Sequence, residues 1–373
     1  MPFCYSPWTN IDINTEGSIS PCCKFRQLET DNRVKIQNSS IAEYKSSELL
    51  TNVKKHFLND QWPPECERCR VEEASGIQSK RLMDAERWKK QYQEYDLDND
   101  TFVTASISLG NTCNLNCITC NPYSSSRWQK EYSVIYGKNI VPFHFYKKDF
   151  VSEFVENAQH VIHIDVSGGE PFLSGVPEQK ELLRTYISNG QAQNISLHYT
   201  TNVTIFPDAE FWDLWQHFRE IDLQLSIDGT GQQFEYIRHP AVWTEVSENI
   251  AKYQAVTLAN FRLSISHTVS AYNIYYLGDF VNWCASNHLP KPWLGKVHKP
   301  ACLRPTVWPE HVRQAIAQRL ESQSDPDLAP WIAMLNTVDD SMLYNEFLQH
   351  IDQHSAYRKL NFKDTFPELA SYI

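Results

Sequence analysis

The sequence predicts an α/β fold, part of a (β/α) barrel of parallel strands, preceded by a small cysteine-rich N-terminal domain. From about residue 101, apolar strand-like runs alternate with amphipathic helix-like runs, which is the pattern of repeated βα units. Most of the ten cysteines lie in the first third of the chain. The length of 373 residues allows roughly two to three domains. We therefore expect an N-terminal domain over residues 1–100, a barrel over 101–300 and a mostly helical extension over 301–373.

Charge and composition argue against two classes of partner. The chain has 34 Lys+Arg against 45 Asp+Glu, a formal net charge of -11, and no basic run that would attract a phosphate backbone. No stretch reaches the ~18 consecutive apolar residues that cross a bilayer, and the N-terminus lacks a signal-peptide pattern. We expect a cytoplasmic protein without nucleic-acid or membrane partners. In a reducing compartment, clustered cysteines at short spacings indicate metal binding more often than disulfides.

The first hundred residues are expected to contain a helix and a linker. Apolar residues recur at near-helical spacing from Ile41 to Leu58, which predicts one helix there. A Trp-Pro-Pro tripeptide at 62–64 ends this pattern. A highly charged stretch follows over 69–95, and the acidic run at 96–100 is interpreted as a solvated linker into the barrel.

Five strands are predicted from apolar runs that are bounded by turn residues, with amphipathic helices between them. The strands are expected over Val103–Leu109, Val161–Ser167, Ile195–Thr201, Ile221–Ile227 and Arg262–Val269. The helices are expected over Phe150–Asn157, Gln179–Ser188, Asp208–Phe218, Thr244–Val256 and Tyr275–Asn287. In such a barrel, the chemistry gathers in the loops that follow the carboxyl ends of the strands.

The loop after the first predicted strand contains three cysteines. Cys113, Cys117 and Cys120 stand in a C-x3-C-x2-C arrangement. Three thiolates at this spacing can hold one [4Fe–4S] cluster and leave one iron open to a ligand that is not protein. A zinc site with a distant fourth ligand, or structural thiols, are the alternatives that the spacing leaves open.

This loop resembles the cluster-binding motif of the radical S-adenosylmethionine (SAM) superfamily. The stretch from Cys113 to Trp128 is similar to the subset whose members carry a twitch or SPASM-like auxiliary iron–sulfur domain. One departure is Thr119, which stands where the family has an aromatic residue that meets the adenine of SAM largely through its backbone. The resemblance implies a partial (β/α)6-type TIM barrel. It also implies a [4Fe–4S] cluster that chelates SAM, with Cys113, Cys117 and Cys120 as its ligands.

Loops after the later strands carry further motifs of the same resemblance. The second strand runs into Gly168-Gly169-Glu170, where the glycines let a ligand approach the backbone and the carboxylate can accept hydrogen bonds from an ammonium group. With Pro171, this turn matches the superfamily's GGEP motif for the amino group of SAM. The resemblance also makes four later polar residues candidate SAM contacts, with a capped helix start or a surface ion pair as the alternative for each: Asn202, Ser226, Asp228 and Arg238.

The N-terminal cysteines form a second set. Cys4, Gly17 and Cys22 match the C-x(9–15)-G-x4-C half of a SPASM or twitch domain, although that domain usually follows the barrel. A C-x2-C pair at Cys66 and Cys69 brings the set to four thiolates, enough for one auxiliary [4Fe–4S] cluster without an open iron. The adjacent thiol at position 23 can replace that of Cys22. A four-cysteine zinc knuckle is the alternative.

Several other candidates receive a structural interpretation or a minor role. Cys284 lies in a predicted helix and is interpreted as a small buried hydrophobe. Cys302 lies on a Pro-rich loop, and its thiol is a candidate hydrogen donor to a substrate radical. Three histidines fall in strand patterns and are interpreted as core or wall residues rather than metal ligands: His163, His198 and His267.

These motifs predict a radical SAM enzyme. The resemblance implies reductive cleavage of SAM to a 5′-deoxyadenosyl radical, which takes hydrogen from a peptide, amino-acid or sugar-like substrate before an oxidative step assisted by the auxiliary cluster. A flavodoxin- or ferredoxin-type reductant is the expected electron donor. The alternative is a non-catalytic iron–sulfur or zinc protein that acts in electron transfer or as a scaffold. The Gly-Gly-Glu turn argues against that alternative, because such a protein needs no site for the SAM amine.

Overall fold

The structure is a computed structural model, and it describes residues 2–26, 34–74, 78–91, 101–140 and 147–373. The chain divides into two compact units. Unit 1 consists of Met1–Asn111, Phe143–Tyr199 and Pro207–Ile221, and unit 2 of Thr112–Pro142, Thr200–Phe206 and Asp222–Ile373. The expected linker at 96–100 lies outside the described residues. The domain limits near residues 100 and 300 stay a prediction.

The described strands form one mostly parallel sheet, which confirms the predicted α/β class. They are β1 (Asn10–Ile13), β2 (Ile19–Ser20), β3 (Thr104–Ser108), β4 (His163–Ser167), β5 (Ser196–Thr201), β6 (Glu220–Ser226), β7 (Phe261–Val269) and β8 (Pro292–Lys296). Their order in this eight-stranded sheet is β2-β1-β3-β4-β5-β6-β7-β8. The five predicted strands are present as β3 to β7. Strand β1 pairs with β2 in antiparallel orientation, whereas the pairs β1–β3, β3–β4, β4–β5 and β7–β8 are parallel.

The sequence analysis does not predict β1, β2 or β8. Strand β1 pairs in parallel with β3, with Ile11 opposite Ala105. Ile11 and Ile13 are fully buried and alternate with Asn10 and Asp12, but four residues are too few for a two-residue period to be recognised. The cysteine-bearing N-terminal segment therefore contributes strands to the sheet of unit 1.

Strands β3 and β4 have one apolar and one polar face. Successive side chains of a strand point to opposite faces, so the buried Ala105 and Ile107 alternate with hydroxyl-bearing neighbours. At the ends of the two strands, Ser108 Oγ and Ser167 Oγ lie 3.1 Å apart. The polar face belongs to unit 1 and includes Asn10, Asp12, Thr104, Ser106, Ser108, His163, Asp165 and Ser167.

Helices lie between the strands and make up the C-terminal part of the chain. Those before β5 are α1 (Ser6–Thr9), α2 (Ile41–Lys45), α3 (Glu48–Leu58), α4 (Glu67–Ala74), α5 (Lys80–Gln91), α6 (Trp128–Tyr136), α7 (Phe150–Asn157) and α8 (Val176–Ser188). Those after it are α9 (Ala209–Trp215), α10 (Gly231–Ile237), α11 (Trp243–Gln254), α12 (Leu277–Ser286), α13 (Glu310–Ser322), α14 (Ala329–Thr337), α15 (Tyr344–Arg358), α16 (Phe362–Thr365) and α17 (Pro367–Ala370). Among the described residues, no helix is both long and apolar enough to span a bilayer.

The single helix predicted over 41–58 is two helices, so that expectation is wrong. Helix α2 ends at Lys45 and α3 begins at Glu48. The hydroxyl of Ser47 accepts a hydrogen bond from the Leu50 backbone N–H (3.2 Å), which caps the second helix. Apolar spacing continues across the break, and the periodicity alone therefore did not reveal it.

The C-terminal helices share one apolar core with the strand-and-loop segments of unit 2. Trp308, Phe347 and Phe366 are fully buried together with Val269 and Tyr272, which follow or end β7. Helices α13 to α17 lie within residues 301–373. They form part of this core, which also contains Ile118 of the cysteine loop.

Candidate functional site

The three cysteines of the C-x3-C-x2-C motif lie in a loop of unit 2 that precedes α6. The segment after α10 supports this loop, because Asn116 N–H donates to His239 O (2.8 Å) and Ile118 N–H donates to Ile237 O (2.7 Å). Trp128 Nε1 donates to Cys117 O over 2.7 Å. Backbone hydrogen bonds and one indole thus shape the loop that carries the thiols.

The thiols of this loop lie close enough to influence one another. Burial raises the pKa of Cys117 to about 12 and that of Cys120 to about 11, and negative charge on Cys113 contributes to both increases. The free thiols are therefore protonated at neutral pH. Iron binds the thiolate, so loading of this loop releases protons.

A buried ion pair lies beside Cys117. Arg238 Nη2 is 2.8 Å from Asp228 Oδ2, and Arg238 Nη1 is 4.0 Å from Cys117 Sγ. Within the described residues, Arg238 Nε has no hydrogen-bond partner. A buried guanidinium with an unused N–H beside three thiols can donate to an anionic ligand. Asp228 Oδ1 also accepts a hydrogen bond from the Thr268 backbone N–H (2.6 Å), so this carboxylate is held between Thr268 and Arg238.

Three other predicted SAM contacts also lie in unit 2. Asn202 Nδ2 is 3.7 Å from Cys113 Sγ and donates to Asn114 Oδ1 over 3.0 Å, which brings this amide to the cysteine loop. Ser226 Oγ lies 3.3 Å from Ser266 Oγ at the end of β6. Thr119 is half-buried in the cysteine loop.

The Gly-Gly-Glu turn lies in unit 1, directly after β4. Gly168 has φ +90°, and a Cβ there would lie 2.6 Å from Ser108 Cβ, so both its conformation and its close approach to β3 require glycine. Glu170 is fully buried, and its Oε1 accepts from Phe172 N–H over 3.3 Å. The carboxylate therefore stabilises its own turn, in addition to the predicted role toward an ammonium group.

A buried polar network that the sequence analysis missed holds the cysteine loop to α15. Glu131 Oε1 accepts from Arg358 Nε (2.9 Å) and His354 Nδ1 (2.5 Å), and Arg358 Nη2 donates to Asn116 O (2.6 Å). Asn116 Nδ2 also donates to Glu131. The His354 and Arg358 hydrogen bonds hold the pKa of Glu131 below its usual value although burial acts to raise it. This network left no signal in the sequence, because its charged residues are far apart along the chain.

Four N-terminal cysteines of unit 1 line one small cavity. They come from the segment before α1, the turn after β2, the short 3-10 helix that precedes α4, and the first turn of α4, where the last two cysteines are about one helical turn apart. Phe57 and Trp62 form an apolar part of the wall, and the remaining lining residues are polar or charged: Ser6, Lys80, Arg81 and Asp84. The cavity-lining cysteines are Cys4, Cys22, Cys66 and Cys69.

The structure distinguishes Cys22 from Cys23. Cys22 lines the cavity, whereas Cys23 is exposed and does not line it. Gly17 has φ +76°, and a Cβ there would meet the amide of Gln37 at 2.3 Å, which explains the glycine of the motif. Burial raises the pKa of Cys4 to about 11 and that of Cys22 well above its usual value. These free thiols are protonated too.

The pKa values of Asp12 and Asp165, on the polar face of unit 1, are shifted in opposite directions. Burial raises the pKa of Asp12 to about 7, although Ser20 Oγ donates to its Oδ2 over 3.3 Å. Burial also acts to raise the pKa of Asp165, but the hydrogen bond and charge of His163 hold it below its usual range. The sequence signal was available, since each aspartate stands between two apolar residues within a strand.

We expect Asp12→Asn to change the pH dependence of stability. The raised pKa of Asp12 gives the wild type stability that is present below the unfolded pKa of 3.8 and is lost as pH rises through about 7. Asparagine cannot titrate. The free energy of unfolding of the variant, relative to that of the wild type, should therefore rise by about 2–3 kcal/mol between pH 5 and pH 8. Chemical denaturation at both pH values measures this change.

Asp208→Asn is the control for that experiment, because Asp208 is not among the charges that shift the pKa of Asp12. The hydrogen bond from Lys180 holds the pKa of Asp208 below its usual value, so the stability that this gives is lost only as pH falls below 3.8, and the substitution should cost the same at pH 5 and pH 8. An Asp12→Asn variant with wild-type pH dependence would show that Asp12 does not carry the raised pKa.

Four further candidate residues of the sequence analysis are buried. Cys302 is buried in the apolar core of unit 2, and burial raises the pKa of its thiol. Cys284 is buried in α12. His163 Nε2 lies 3.1 Å from Asp165 Oδ1. His267 donates from Nδ1 to Ile227 O over 2.9 Å.

Comparison with known proteins places the N-terminal cysteines in a family. Residues 4–70 match the model of the SPASM family, an iron–sulfur cluster-binding domain. The chain is also 24% identical over 196 residues to the sporulation killing factor maturation protein SkfB of Bacillus subtilis (strain 168), a match that covers 51% of this chain and 41% of SkfB. The matched segment 4–70 contains all four cavity-lining cysteines, and the C-x3-C-x2-C and Gly-Gly-Glu motifs lie beyond it. The N-terminal segment of the chain is thus similar to a SPASM iron–sulfur cluster-binding domain.

Other similar proteins extend the comparison. The chain is 23% identical over 180 residues to the uncharacterized protein MJ0907 of Methanocaldococcus jannaschii, a match that covers 48% of this chain and 56% of MJ0907. The chain thus spans about half the length of the curated relatives it matches. Similar solved structures include anSMEcpe with bound AdoMet (TM-score 0.45, 13% identity, 63% of this chain and 61% of that chain). Streptococcus suis SuiB bound to S-adenosylmethionine has a TM-score of 0.38 at 12% identity, over 84% of this chain and 66% of SuiB.

The cofactors of a radical SAM protein with a SPASM domain are [4Fe–4S] clusters and SAM, and the donor sets fit them. Thiolates are the usual protein ligands of such clusters, and one set offers three and the other four. Within the described part of the chain, no group of three or more His, Cys, Asp or Glu is arranged to hold a single metal ion. A cubane presents a separate iron to each thiolate, so its ligands are spread more widely than those of one zinc ion.

Proposed function

We propose that this chain is a radical SAM enzyme with two [4Fe–4S] clusters that initiates a radical modification of a peptide. The observation that carries the proposal is the separation of the cysteines into a set of three and a set of four. Cys113, Cys117 and Cys120 would hold the cluster that would supply the electron for cleavage of SAM to the 5′-deoxyadenosyl radical. The four N-terminal cysteines would hold a cluster without an open iron, which would accept or pass an electron.

The side chains around the first cysteine set then have separate tasks. Arg238, held by Asp228, donates from its unused Nε to an anionic group, either the SAM carboxylate or a cluster sulfur. Asn202 orients its amide at Cys113 and can contact the polar part of SAM. Ser226 and the Thr119 backbone are further proposed contacts.

The Gly-Gly-Glu turn of unit 1 has a proposed task of its own. Glu170 would accept hydrogen bonds from the SAM ammonium, and Gly168 and Gly169 allow a ligand to approach the backbone closely.

A peptide is the proposed substrate class. The relative SkfB is named as a maturation protein of a killing factor, which favours a gene-encoded substrate over a small metabolite. The polar face of unit 1, with Asp12, Asp165 and several hydroxyls, can bind polar groups of such a substrate. A flavodoxin- or ferredoxin-type protein is the proposed reductant. Oxidative modification is the proposed outcome, because an auxiliary cluster can take the electron of a substrate radical.

We expect Glu170→Gln to weaken SAM binding by roughly 10- to 100-fold. A hydrogen bond from the ammonium of SAM to a carboxylate is worth about 1.5–3 kcal/mol, and glutamine keeps the acceptor but removes the charge. The iron content should not change. Equilibrium binding of SAM to the reconstituted protein measures the effect.

Glu181→Gln on the exposed face of α8 is the control for a lost carboxylate. It should leave SAM affinity at the wild-type value. Unaltered SAM affinity in Glu170→Gln would mean that Glu170 serves only its own turn.

Replacing Cys66 and Cys69 together by Ala tests the proposed function directly. Without the second cluster, reconstituted protein given SAM and dithionite should still produce 5′-deoxyadenosine, because the first cysteine set is intact. Modified substrate should be lost, because the electron of the substrate radical has no acceptor. Chromatography of 5′-deoxyadenosine and mass spectrometry of the peptide measure the two products.

The exposed Cys23 offers the matched control, because Cys23→Ala removes a neighbouring thiol that does not line the cavity. It should retain both products. A soluble Cys66/Cys69 double variant that keeps the first cluster and forms modified substrate at the normal rate would refute the electron-transfer role. Joint loss of both products together with solubility would indicate a structural role for the second cluster.

A further inference from the structure

The cavity that the four N-terminal cysteines of unit 1 line also has charged residues in its wall. Lys80 and Arg81, the first two residues of α5, lie in this wall together with Asp84, one helical turn further along the same helix. Because the cavity is small, these charges act at short range on any group that the four thiols hold. The two cations differ in the contacts that they already make.

Arg81 is held by groups outside the cavity. Its Nε and Nη2 donate to the carboxylate of Glu73 over 2.9 and 2.5 Å, and its Nη1 donates to Phe3 O over 2.6 Å. The guanidinium also lies 5.2 Å from the centre of the Trp62 ring. These contacts hold the segment next to Cys4 in place, so we interpret Arg81 as a residue that shapes the wall.

The Lys80 ammonium has hydrogen-bonding capacity left. Its Nζ lies 3.0 Å from Asp84 Oδ1 and 2.9 Å from Asp84 Oδ2. Among the described residues, Asp84 is the only hydrogen-bond partner of this ammonium. An ammonium has three N–H donors, and the two oxygens of Asp84 engage at most two of them in this geometry. At least one N–H therefore remains for another acceptor.

The positive charge of Lys80 also acts on a thiol of the cavity. Burial raises the pKa of Cys22, and the charge of Lys80 acts in the opposite direction. The Lys80 side chain is 26% exposed, so water screens its charge only in part. A [4Fe–4S] cluster with four thiolate ligands carries net negative charge, and reduction adds one more negative charge. A cation in the wall therefore stabilises the reduced form more than the oxidised form.

We infer that Lys80 is a positioning residue that raises the reduction potential of the second cluster through its charge and a hydrogen bond to one of the cluster's sulfurs. Asp84 acts in the opposite direction, because its carboxylate lies in the same wall and compensates part of the Lys80 charge. A higher potential favours electron transfer from a substrate radical to this cluster. The inference rests on the proposed function, since it requires a cluster on the four N-terminal cysteines.

The reduction potential of the second cluster tests this role without a substrate. It is measured by EPR-monitored titration with dithionite in the full-length reconstituted chain that carries Cys113→Ala, Cys117→Ala and Cys120→Ala, and again in the holoenzyme. We expect Lys80→Met to lower the equilibrium constant for reduction by about tenfold, which makes the potential about 59 mV more negative for one electron. Lys80→Arg keeps the charge and the donors and should stay near the unsubstituted value.

Asp84→Asn is the opposing variant. It removes a negative charge from the wall and should make the potential more positive. A general structural defect would not move the Lys80→Met and Asp84→Asn potentials in opposite directions. Lys147→Met is the matched control, because Lys147 is paired with Glu153 in unit 1, is 22% exposed and does not line the cavity. It should leave the potential unchanged.

Two results would overturn the role of Lys80 alone. The first is an unchanged potential in a Lys80→Met variant that holds its full iron content, and the second is a shift of Lys80→Met and Asp84→Asn in the same direction. Both leave the second cluster in place, so the proposed function would stand. Stoichiometric zinc in place of iron in the four-cysteine set would instead refute the second cluster, and with it both the proposed electron-transfer role and this inference.

Discussion

Replacing Cys113, Cys117 and Cys120 together by Ala is expected to halve the iron content and abolish SAM cleavage. The wild-type protein, reconstituted under anaerobic conditions, should hold about eight irons per chain, because three and four thiolates can each hold one [4Fe–4S] cluster. The triple variant keeps the four N-terminal cysteines and should hold about four irons. No iron with an open position then remains to bind SAM. Iron analysis and the yield of 5′-deoxyadenosine measure both effects.

Cys284→Ala is the control for this experiment, because Cys284 is buried in α12 outside both cysteine sets. It should keep the iron and the SAM cleavage of the wild type. About four irons together with stoichiometric zinc in the wild type would instead identify the N-terminal set as a zinc site, and the oxidative role would be withdrawn. SAM cleavage by the triple variant would contradict the assignment of the first cluster.

Arg358→Met is expected to lower the free energy of unfolding by about 3–5 kcal/mol, since it leaves the buried charge of Glu131 without its cation. The same change removes the hydrogen bond from Arg358 Nη2 to Asn116 O in the cysteine loop. It also removes a guanidinium that lies 5.5 Å from the ring of Trp128, which itself donates to Cys117 O. We therefore expect loss of iron from the first cysteine set together with lower stability. Chemical denaturation and iron analysis measure the two effects.

Lys291→Met is the matched control, because it also replaces a paired cation of unit 2 by Met. The Lys291 side chain is 70% exposed in its ion pair with Asp327, and the loss should stay below about 1 kcal/mol. A Glu131→Gln/Arg358→Met double variant removes both charges and should be less destabilised than the sum of the two single variants. An Arg358→Met variant as stable as Lys291→Met, with full iron content, would contradict the role assigned to this network.

Local patterns were sufficient for most of the sheet. Strands β3 to β7 combine β-branched and apolar runs with turn residues at both ends, so their positions follow from the sequence. The short β1 and β2 do not, because the pairing of Ile11 with Ala105 joins segments more than ninety residues apart. Helices α2 and α3 show a different limit of local patterns, because the sequence predicted one continuous helix in their place. Their apolar spacing continues through Ser47, and the break depends on a hydrogen bond of a single side chain.

The sequence predicted the members of the two cysteine sets only in part. The C-x3-C-x2-C spacing is local and indicates a cluster ligand loop, which the structure then places beside Arg238. In the N-terminal set, the sequence left Cys22 and Cys23 as alternatives, since adjacent cysteines differ by only one position in their spacing to Cys66. The cavity makes that choice, because the turn after β2 directs one of the two neighbours toward Phe57 and Trp62.

The sequence by itself determined the α/β class, the positions of the central strands and the two sets of thiols. These features are set by periodicity and by spacing within a few residues, so neighbours along the chain are enough to specify them. The tertiary structure alone decided which distant groups meet, such as Glu131 with Arg358 and Asn202 with Cys113. Burial and the charge of such partners determine the protonation of a side chain and whether it is free to bind a ligand, and neither is a property of the local sequence.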